Sequence, residues 1–335
     1  MNASRIKTVL LVLITLLFSS SFVWADSVLP FTFTGAAYRD FHAKYAQDVF
    51  GFYNFLSYSM DTTAFTKLEG NFCDKQTGLA AGADINVDDN AVGKANKIAA
   101  YVGIKRLFLR LEKGNMKGVA NWNGLLAPGQ SAHEAFDNKF MHVDLILHSN
   151  SMLDGTGYWG VGYTTFNLPA EIQTTFTYTN RQGQVEGVRA FDPDFQVKCY
   201  SFIFGFDTFS GETLGTGIGK FEEGFGFFGS GEDRFGLGYS YISDAGIKAA
   251  EFLNPGLKAT EQKLFGGFVE NDTDMGFKWS HAYKYLKLVL GVGYEVSFAV
   301  NLQWSGFATE PGQLGVNSPI SIFRYGPIGR VFMQW

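Results

Sequence analysis

The stretch 286–304 carries an apolar residue at nearly every second position, beginning with Leu286 and ending with Trp304. The positions between them are mostly polar or small and include Lys287 and Glu295. A period of two is that of a β-strand, in which successive side chains point to opposite faces. The run is about twice as long as an ordinary soluble strand, and it exceeds the roughly 10 residues that a strand needs to cross a bilayer. It therefore predicts a membrane-spanning strand with one apolar side.

Five further segments repeat this alternation, and together they predict the fold. They begin near Leu107, Met141, Ile172, Tyr200 and Phe235. Only helices and closed barrels satisfy every backbone group inside a bilayer, and beyond the N-terminal segment no apolar run is long enough for a spanning helix. We therefore expect an all-β fold, a transmembrane antiparallel up-and-down β-barrel of about 14 strands, with any even number from 12 to 16 allowed. Residues 26–335 are predicted to form this single domain.

Turn-forming residues separate the alternating runs. Predicted turns lie at 167–169, 181–183, 192–194 and 229–233, and predicted loops at 74–97, 113–138, 244–259 and 306–318. In the last quarter, the strands 235–243, 261–279, 286–304 and 320–335 are expected to run alternately outward and back. The long predicted loop 113–138 is either an extracellular flap or a segment that folds into the lumen and narrows it.

The N-terminal segment 1–25 is predicted to be a cleaved secretory signal peptide. Arg5 and Lys7 form a basic region, an apolar core follows, and Ala25 supplies a small residue before the expected cleavage site. The apolar core is shorter than the ~20 residues of a membrane-spanning helix. The chain is therefore expected to be exported.

Composition supports a barrel and excludes some partners. The 335 residues include 40 Gly and 34 Phe, which suit a curved sheet with an apolar, aromatic-rimmed exterior. Without the signal, 25 basic residues stand against 32 acidic ones, because Arg5 and Lys7 are lost from the total of 27. This acidic balance disfavours nucleic acid as a partner and weakly favours cation preference in a pore.

The C-terminal strand resembles that of Gram-negative outer-membrane β-barrels. Trp335, Met333 and Val331 share one face, whereas Gln334 and Phe332 lie on the other. In that family, a terminal aromatic residue on an alternating last strand seals the barrel and is recognised by the barrel-assembly machinery. The resemblance implies a location in the outer membrane, contact with outer-membrane lipid, and an association into trimers that the sequence leaves open.

A second resemblance covers only the last third, from Glu232 to Trp335. The segment 233–241, Asp-Arg-Phe-Gly-Leu-Gly-Tyr-Ser-Tyr, is similar to a strand of carbohydrate-selective porins. In those porins, such a strand precedes a long loop and the last three strands. The resemblance implies sugar as one candidate solute.

The polar faces of the predicted strands indicate which side chains line the interior. These pore-lining candidates are Arg106, Arg110, Glu112, His142, Asp144, His148, Asp207, Lys287 and Glu295. Opposed charges in a narrow, partly dehydrated pore set ion and solute selectivity. The alternative is a closed barrel in which the same charges form internal salt bridges.

An enzymatic alternative rests on His148 and its neighbours. Outer-membrane lipid hydrolases place His and Ser two residues apart on a strand, so that both side chains share a face. Here Ser149 is adjacent to His148 and would point to the opposite side, unless a bulge brings Ser151 into reach. We therefore expect no enzymatic activity and keep a lipid hydrolase as the alternative.

The sequence carries no cofactor signal and no metal-ligand spacing. Cys73 and Cys199 are too few for a disulfide scaffold, and whether they pair is left open. The function that best fits these features is an outer-membrane porin or channel for passive diffusion of small hydrophilic solutes or ions. A closed structural or adhesion barrel is a third alternative.

Overall fold

The computed structural model describes residues 31–40, 43–49, 58–63, 65–74, 76–88, 94–123, 131–149, 156–180, 182–192, 194–210, 222–245, 247–248, 258–259, 263–304, 307–308 and 316–335. The predicted signal peptide, 1–25, lies outside these residues. Among the described residues, no helix is both long enough and apolar enough to span a membrane.

Seventeen β elements occupy most of the described residues. They are β1 (Phe31–Asp40), β2 (Ala43–Val49), β3 (Tyr58–Thr63), β4 (Phe65–Asp74), β5 (Leu79–Asp88), β6 (Lys94–Ile104), β7 (Leu107–Asn123), β8 (Ser131–Ser149), β9 (Gly157–Asn180), β10 (Gly183–Phe191), β11 (Asp194–Asp207), β12 (Gly224–Ile242), β13 (Lys258–Ala259), β14 (Lys263–Ala282), β15 (Lys287–Trp304), β16 (Phe307–Ala308) and β17 (Val316–Gln334). The short β13 and β16 pair with each other outside the main sheet.

The main sheet is antiparallel and closes on itself. Its order is β1-β4-β5-β6-β7-β8-β9-β11-β12-β14-β15-β17, and β17 pairs back with β1. In this closing pair Thr34 lies opposite Gln334 and Asp40 opposite Ile328. Along the circuit of these twelve described strands, every strand therefore has a partner on both sides. The predicted all-β, antiparallel, up-and-down sheet is confirmed, and the pairing of β1 with β17 closes it.

The predicted number of about fourteen strands is not confirmed. One circuit of the closed sheet passes through twelve described strands, which is within the predicted range. Three elements do not add to the circuit, because they extend other strands lengthwise. β2 continues β1 along β17, β3 continues β4 along β2 and β1, and β10 continues β11 along β9.

The two ends of the barrel differ. We call the end that contains Phe31 and Gln334 the terminal end and the opposite one the loop end. Two tight turns lie at the terminal end, and in one of them Lys105 has a positive φ of 57°. In the other, the Thr77 hydroxyl and the Gln76 amide donate to Asp74 at 2.6 and 3.0 Å. These two hydrogen bonds, that of Thr77 above all, hold the pKa of Asp74 below its usual range.

The last quarter follows the predicted path. β12, β14, β15 and β17 pair consecutively and antiparallel, so the chain runs alternately toward the two ends. The predicted turn at 181–183 is also found, as the hairpin between β9 and β10.

Several other predicted connections are wrong. The expected turns at 167–169 and 229–233 lie inside β9 and β12, and the one at 192–194 only interrupts two collinear strands. The predicted loop 113–138 is mostly strand, since β7 reaches Asn123 and β8 begins at Ser131. Its Trp122, His133 and Glu134 belong to these strands, which overturns the hypothesis of a long constriction loop. Within the predicted loop 74–97, β5 forms a further strand, because small residues such as Ala81 and Ala83 are enough to cover the outer face.

Candidate functional site

The side-chain distribution is the reverse of that in a soluble protein. Large apolar side chains on the outward face are exposed, as Phe235, Leu237 and Tyr239 of β12 are. The polar side chains of Arg234 and Ser240, which precede and follow these residues on β12, are buried on the inward face. An apolar exterior around a polar interior is the pattern of a barrel that contacts lipid.

Aromatic side chains mark both margins of the apolar exterior. At the terminal end, the rings of Trp279 and His281 stack with centroids 5.9 Å apart. At the loop end, Tyr163 and Tyr200 lie 5.3 Å apart, and Lys263 lies over the ring of Tyr239 at 4.3 Å. At about 3.3 Å per residue and a tilt of about 40°, the outward face of β12 from Phe227 to Tyr239 spans about 30 Å, which is close to the thickness of a bilayer core.

A network of four charged side chains crosses the interior. Arg110 of β7 donates to Asp144 of β8 at 2.8 and 3.0 Å, and to both carboxylate oxygens of Glu232 at 2.6 and 2.7 Å. Arg234 donates to the two oxygens of Asp144 at 2.6 and 3.0 Å, and to Glu232 at 3.0 Å. The Tyr158 hydroxyl donates to Glu232 at 2.6 Å. Arg234 also pairs with Glu270 at 3.3 Å. The opposed charges offset part of the cost of their burial.

A glycine makes the closest part of this network possible. A Cβ atom on Gly162 would lie 2.2 Å from Oδ1 of Asp144 and 3.1 Å from Nη1 of Arg234. The absent side chain thus leaves the space in which these two residues meet.

His142 connects the network to a second group of charges. Its Nδ1 lies 3.0 Å from the Thr164 hydroxyl, and its Nε2 lies 3.6 Å from Glu270. Glu112 lies 3.9 Å from Nε2 of His142 and pairs with Lys97 at 2.8 Å. The charged interior therefore extends from β12 and β14 across the barrel to β6.

Part of this interior is accessible to water. The side chains of Lys67, Glu69, Lys97 and Glu270 remain 28, 29, 27 and 27% exposed, although they belong to the polar inward set. Asp272, beside Glu270 on β14, is exposed. In contrast, Asp144 has no exposed surface. The interior thus combines solvent-accessible charges along β4, β6 and β14 with a more deeply buried ion-pair network between β7 and β12.

Apolar side chains fill two regions of the interior at the terminal end. One cluster contains Phe108, Ile146, Tyr158 and Ile203, with Cys73 and Ala80. The other contains Phe209, Phe228, Val289, Ile328 and Phe332.

Phe209 enters the second cluster because the chain turns inward after β11. The guanidinium of Arg330 lies 4.4 Å from the Phe209 ring and pairs with Asp274 at 3.0 Å and with Asp207 at 3.4 Å. Lys278 donates to the backbone oxygens of Thr208 and Phe209. The segment that carries Phe209 is therefore fixed in the terminal mouth of the barrel.

Eight of the nine pore-lining candidates fall into three groups, and His148 is described separately below. Arg110, Glu112, His142 and Asp144 lie together in the charged interior described above. The second group lies apart from the first. Asp207 lies beside Arg330. Lys287 is at the start of β15, and Glu295 is buried on the inward face of the same strand. Arg106 lies in the β6–β7 turn with an exposed side chain, and its backbone oxygen accepts from the amide of His148.

His148 lies at the terminal end among apolar rings. Its centroid is 4.8 Å from that of Phe108 and 5.8 Å from that of Tyr158. In the part of the chain that the structure describes, neither ring nitrogen of His148 has a hydrogen-bond partner. Ser151 lies outside the described residues.

Several interior charges were missed by the sequence analysis. They are Lys67, Glu69, Asp84, Lys97, Glu232, Arg234, Glu270, Asp274 and Arg330. Glu232 was hidden because the glycines around it predicted a turn. Arg234 and Arg330 lie at inward positions of the period-two alternation along their strands. That alternation alone is enough to predict that both side chains face the interior.

Neither cysteine forms a disulfide, and both are buried. Among the described residues, no group of three or more His, Cys, Asp or Glu side chains is placed to hold a metal ion.

Comparisons with known proteins concern the fold alone. No family model matches the chain, and no curated protein matches it. The chain is similar in structure to the outer membrane protease OmpT from Escherichia coli, at 8% identity over 93% of this chain and 99% of that one, with a TM-score of 0.36. It is also similar to the toluene transporter TodX of P. putida, at 10% identity over 92% and 90% of the two chains, with a TM-score of 0.29.

A third similar structure is the outer membrane protein OpdK from Pseudomonas aeruginosa, at 10% identity over 91% and 99%, with a TM-score of 0.20. All three TM-scores are low, so these similarities carry no conclusion about activity. The resemblance to carbohydrate-selective porins is not shown by them.

Proposed function

We propose that this chain is a narrow outer-membrane channel through which small hydrophilic solutes or ions diffuse passively. The observation that supports this most directly is the hydrated charge on the inward face of a closed sheet whose outward face is apolar. Water that reaches Lys67, Lys97 and Asp272 inside the barrel provides a polar path through part of its length.

The ion-pair network makes this path narrow. The pair between Arg110 and Glu232 joins β7 to β12, strands that are not neighbours in the sheet, so the two side chains meet across the lumen. A solute must pass beside this pair, between charges of both signs. Such an arrangement favours small ions and compact polar molecules over large solutes.

The same proposal includes a location in the outer membrane and insertion there by the barrel-assembly machinery. The apolar exterior with aromatic margins suits a bilayer, and β17 ends next to Trp335, which is the terminal signature expected of the barrel-assembly machinery's substrates. The export signal at 1–25 is part of this proposal.

Single-channel conductance of the refolded chain in a planar bilayer tests the proposal. Discrete steps under an applied voltage are expected, and a salt gradient gives their ion selectivity. A barrel that inserts, migrates as a folded species in electrophoresis, and stays silent over a wide voltage range would overturn the channel.

No described contact favours the hydrolase alternative. The described surroundings of the His148 side chain are apolar rings, with no serine or carboxylate within hydrogen-bonding distance among the described residues. A phospholipid hydrolysis assay with the wild-type chain and with His148→Ala tests that alternative independently of conductance.

A further inference from the structure

The apolar outward face of the barrel is interrupted at mid-depth by three polar side chains. They are Asp233 of β12 and Asn271 and Thr273 of β14, which we call the outer polar patch. On the loop-end side of the patch, Phe235 is 49% exposed, and on the terminal-end side Met275 is 61% exposed. The patch therefore lies within the apolar band and not at its margin.

The patch is an internally bonded unit. Nδ2 of Asn271 donates to Oδ1 of Asp233 at 2.7 Å and to Oγ1 of Thr273 at 2.9 Å. Within the described part of the chain, the second carboxylate oxygen of Asp233 and the hydroxyl proton of Thr273 have no partner in the same barrel. The patch thus presents one strong acceptor and one donor to its surroundings.

Acyl chains cannot satisfy such groups. A polar or ionised side chain at the bilayer centre is costly unless it finds a hydrogen-bond partner or water. Asp233 is too short to reach the interface, because about half of the apolar band lies on either side of it. The occupant of this face must therefore carry polar groups at the same depth.

Glycines and aromatic rings border the patch. Gly229 and Gly231 precede Asp233 on β12, and the Phe206 ring of β11 lies 3.3 and 3.4 Å from the positions that their Cβ atoms would take. A Cβ atom on Gly231 would lie 2.9 Å from Oγ1 of Thr273. Phe204 lies opposite Asp233 on β11 and is 40% exposed, so an apolar ring borders the polar centre.

We propose that this face binds a second copy of the same chain. Two copies in one membrane share their orientation, so a two-fold axis along the membrane normal turns the outer polar patch of one copy toward that of the other. The Thr273 hydroxyl of each copy then donates to Asp233 of the other, which satisfies both free positions. A second copy fits because the patch contains its own complement, an acceptor and a donor that are joined through the same amide nitrogen of Asn271.

This inference requires the membrane location of the proposed function, but it does not require conduction. Conductance and self-association are measured separately, so either can fail without the other. The patch lies outside the lumen, and changes in it are expected to leave the conductance of a single barrel unchanged.

The first test places a photoreactive benzoylphenylalanine at position 204 of the full chain in its native membrane. A crosslinked product with the mass of two chains is expected there, and none when the probe replaces Ile98, an exposed residue on β6. No product at position 204, or a product that contains another protein, would overturn the second copy as the occupant.

The second test replaces the patch by apolar residues, with the changes Asp233→Leu and Asn271→Leu together. Sedimentation in detergent and in lipid nanodiscs is expected to show at least a tenfold weaker association than for the wild type. The matched control Met275→Leu, two residues from Thr273 on the same outward face, is expected to associate normally. A wild-type chain that stays monomeric in lipid at every concentration would refute the interface, whether or not the double variant folds.

Discussion

Arg110 and Glu232 are 122 residues apart in sequence, yet they form a two-pronged ion pair with N–O distances of 2.6 and 2.7 Å. Their strands, β7 and β12, are separated in the sheet by β8, β9 and β11. The pair is therefore a chord across the barrel and not a cross-strand contact. It connects two parts of the wall that are not adjacent in the sheet.

Replacing Glu232 by Gln should weaken the barrel. Arg110 would then keep only Asp144, and Arg234 would keep Asp144 and Glu270. Breaking a buried ion pair leaves charge without full compensation. Because Glu232 is partly exposed, we expect a loss of about 1–3 kcal/mol in the free energy of unfolding. Urea titration of the refolded chain in detergent measures it. Asp192→Asn, at an exposed position, is the control, and equal midpoints for the two variants would contradict the role of the chord.

Gly162→Ala should disrupt the meeting of Asp144 and Arg234. The added methyl group would overlap Oδ1 of Asp144, whose surroundings have no space to yield, and overpacking of this kind costs about 1–3 kcal/mol. Thermal unfolding followed by circular dichroism measures the change. Gly70→Ala is a matched control, because a Cβ atom there meets nothing within 4 Å. Similar melting temperatures for both variants would show that the network tolerates displacement.

Phe209→Ala should increase the conductance of the channel. Phe209 is 1% exposed and fills the terminal mouth beside Phe228 and Ile328, so truncation opens space in the path. Single-channel steps in planar bilayers are expected to grow roughly twofold, in keeping with the control that constrictions exert on conduction. Phe225→Ala, at an outward position that is 90% exposed, should leave the steps unchanged. Steps of wild-type size in Phe209→Ala would place the narrowest point elsewhere.

Lys97→Gln should shift ion selectivity toward cations. Its ammonium group lies 2.8 Å from Glu112 in the hydrated interior, and its removal leaves that carboxylate facing the lumen alone on this side. The reversal potential in a salt gradient should change by an amount that corresponds to roughly a twofold increase in the cation-to-anion permeability ratio. Lys198→Gln removes a lysine from the outward face and serves as the control. An unchanged reversal potential in Lys97→Gln would mean that ions do not pass near it.

The strands that cross the apolar band could be predicted from the sequence, and those that extend beyond it could not. Apolar and polar residues alternate along β15 because one of its faces belongs to the apolar exterior and the other to the polar interior. β7 and β8 continue past the band toward Asn123 and Ser131, where neither face requires apolar residues, so the period of two disappears and the segment is similar in composition to a loop.

The sequence predicted on which side of the sheet the candidate side chains lie, but not which residues they pair with. Parity along the strands placed Arg110, His142 and Asp144 on the inward side, as the structure has them. The partners of Arg110 depend on the register of five strands. One partner, Glu232, lies in a glycine-containing segment that the sequence predicted to be a turn. The side of the sheet on which a side chain lies follows from the alternation within one strand. An ion pair across the lumen depends on how all the strands of the closed sheet are arranged.

The pairing of Thr34 with Gln334 also determines when this protein can fold. The first and last described strands are each other's partners, so the circle stays open until the final segment of the chain has been delivered. Contacts between such distant positions carry a large entropic cost of closure and form slowly. During that interval the edge of β1 that faces β17 has no partner. If the chain is inserted into a membrane as proposed, its yield is expected to depend more on factors that bind it before insertion than on the stability of the finished barrel.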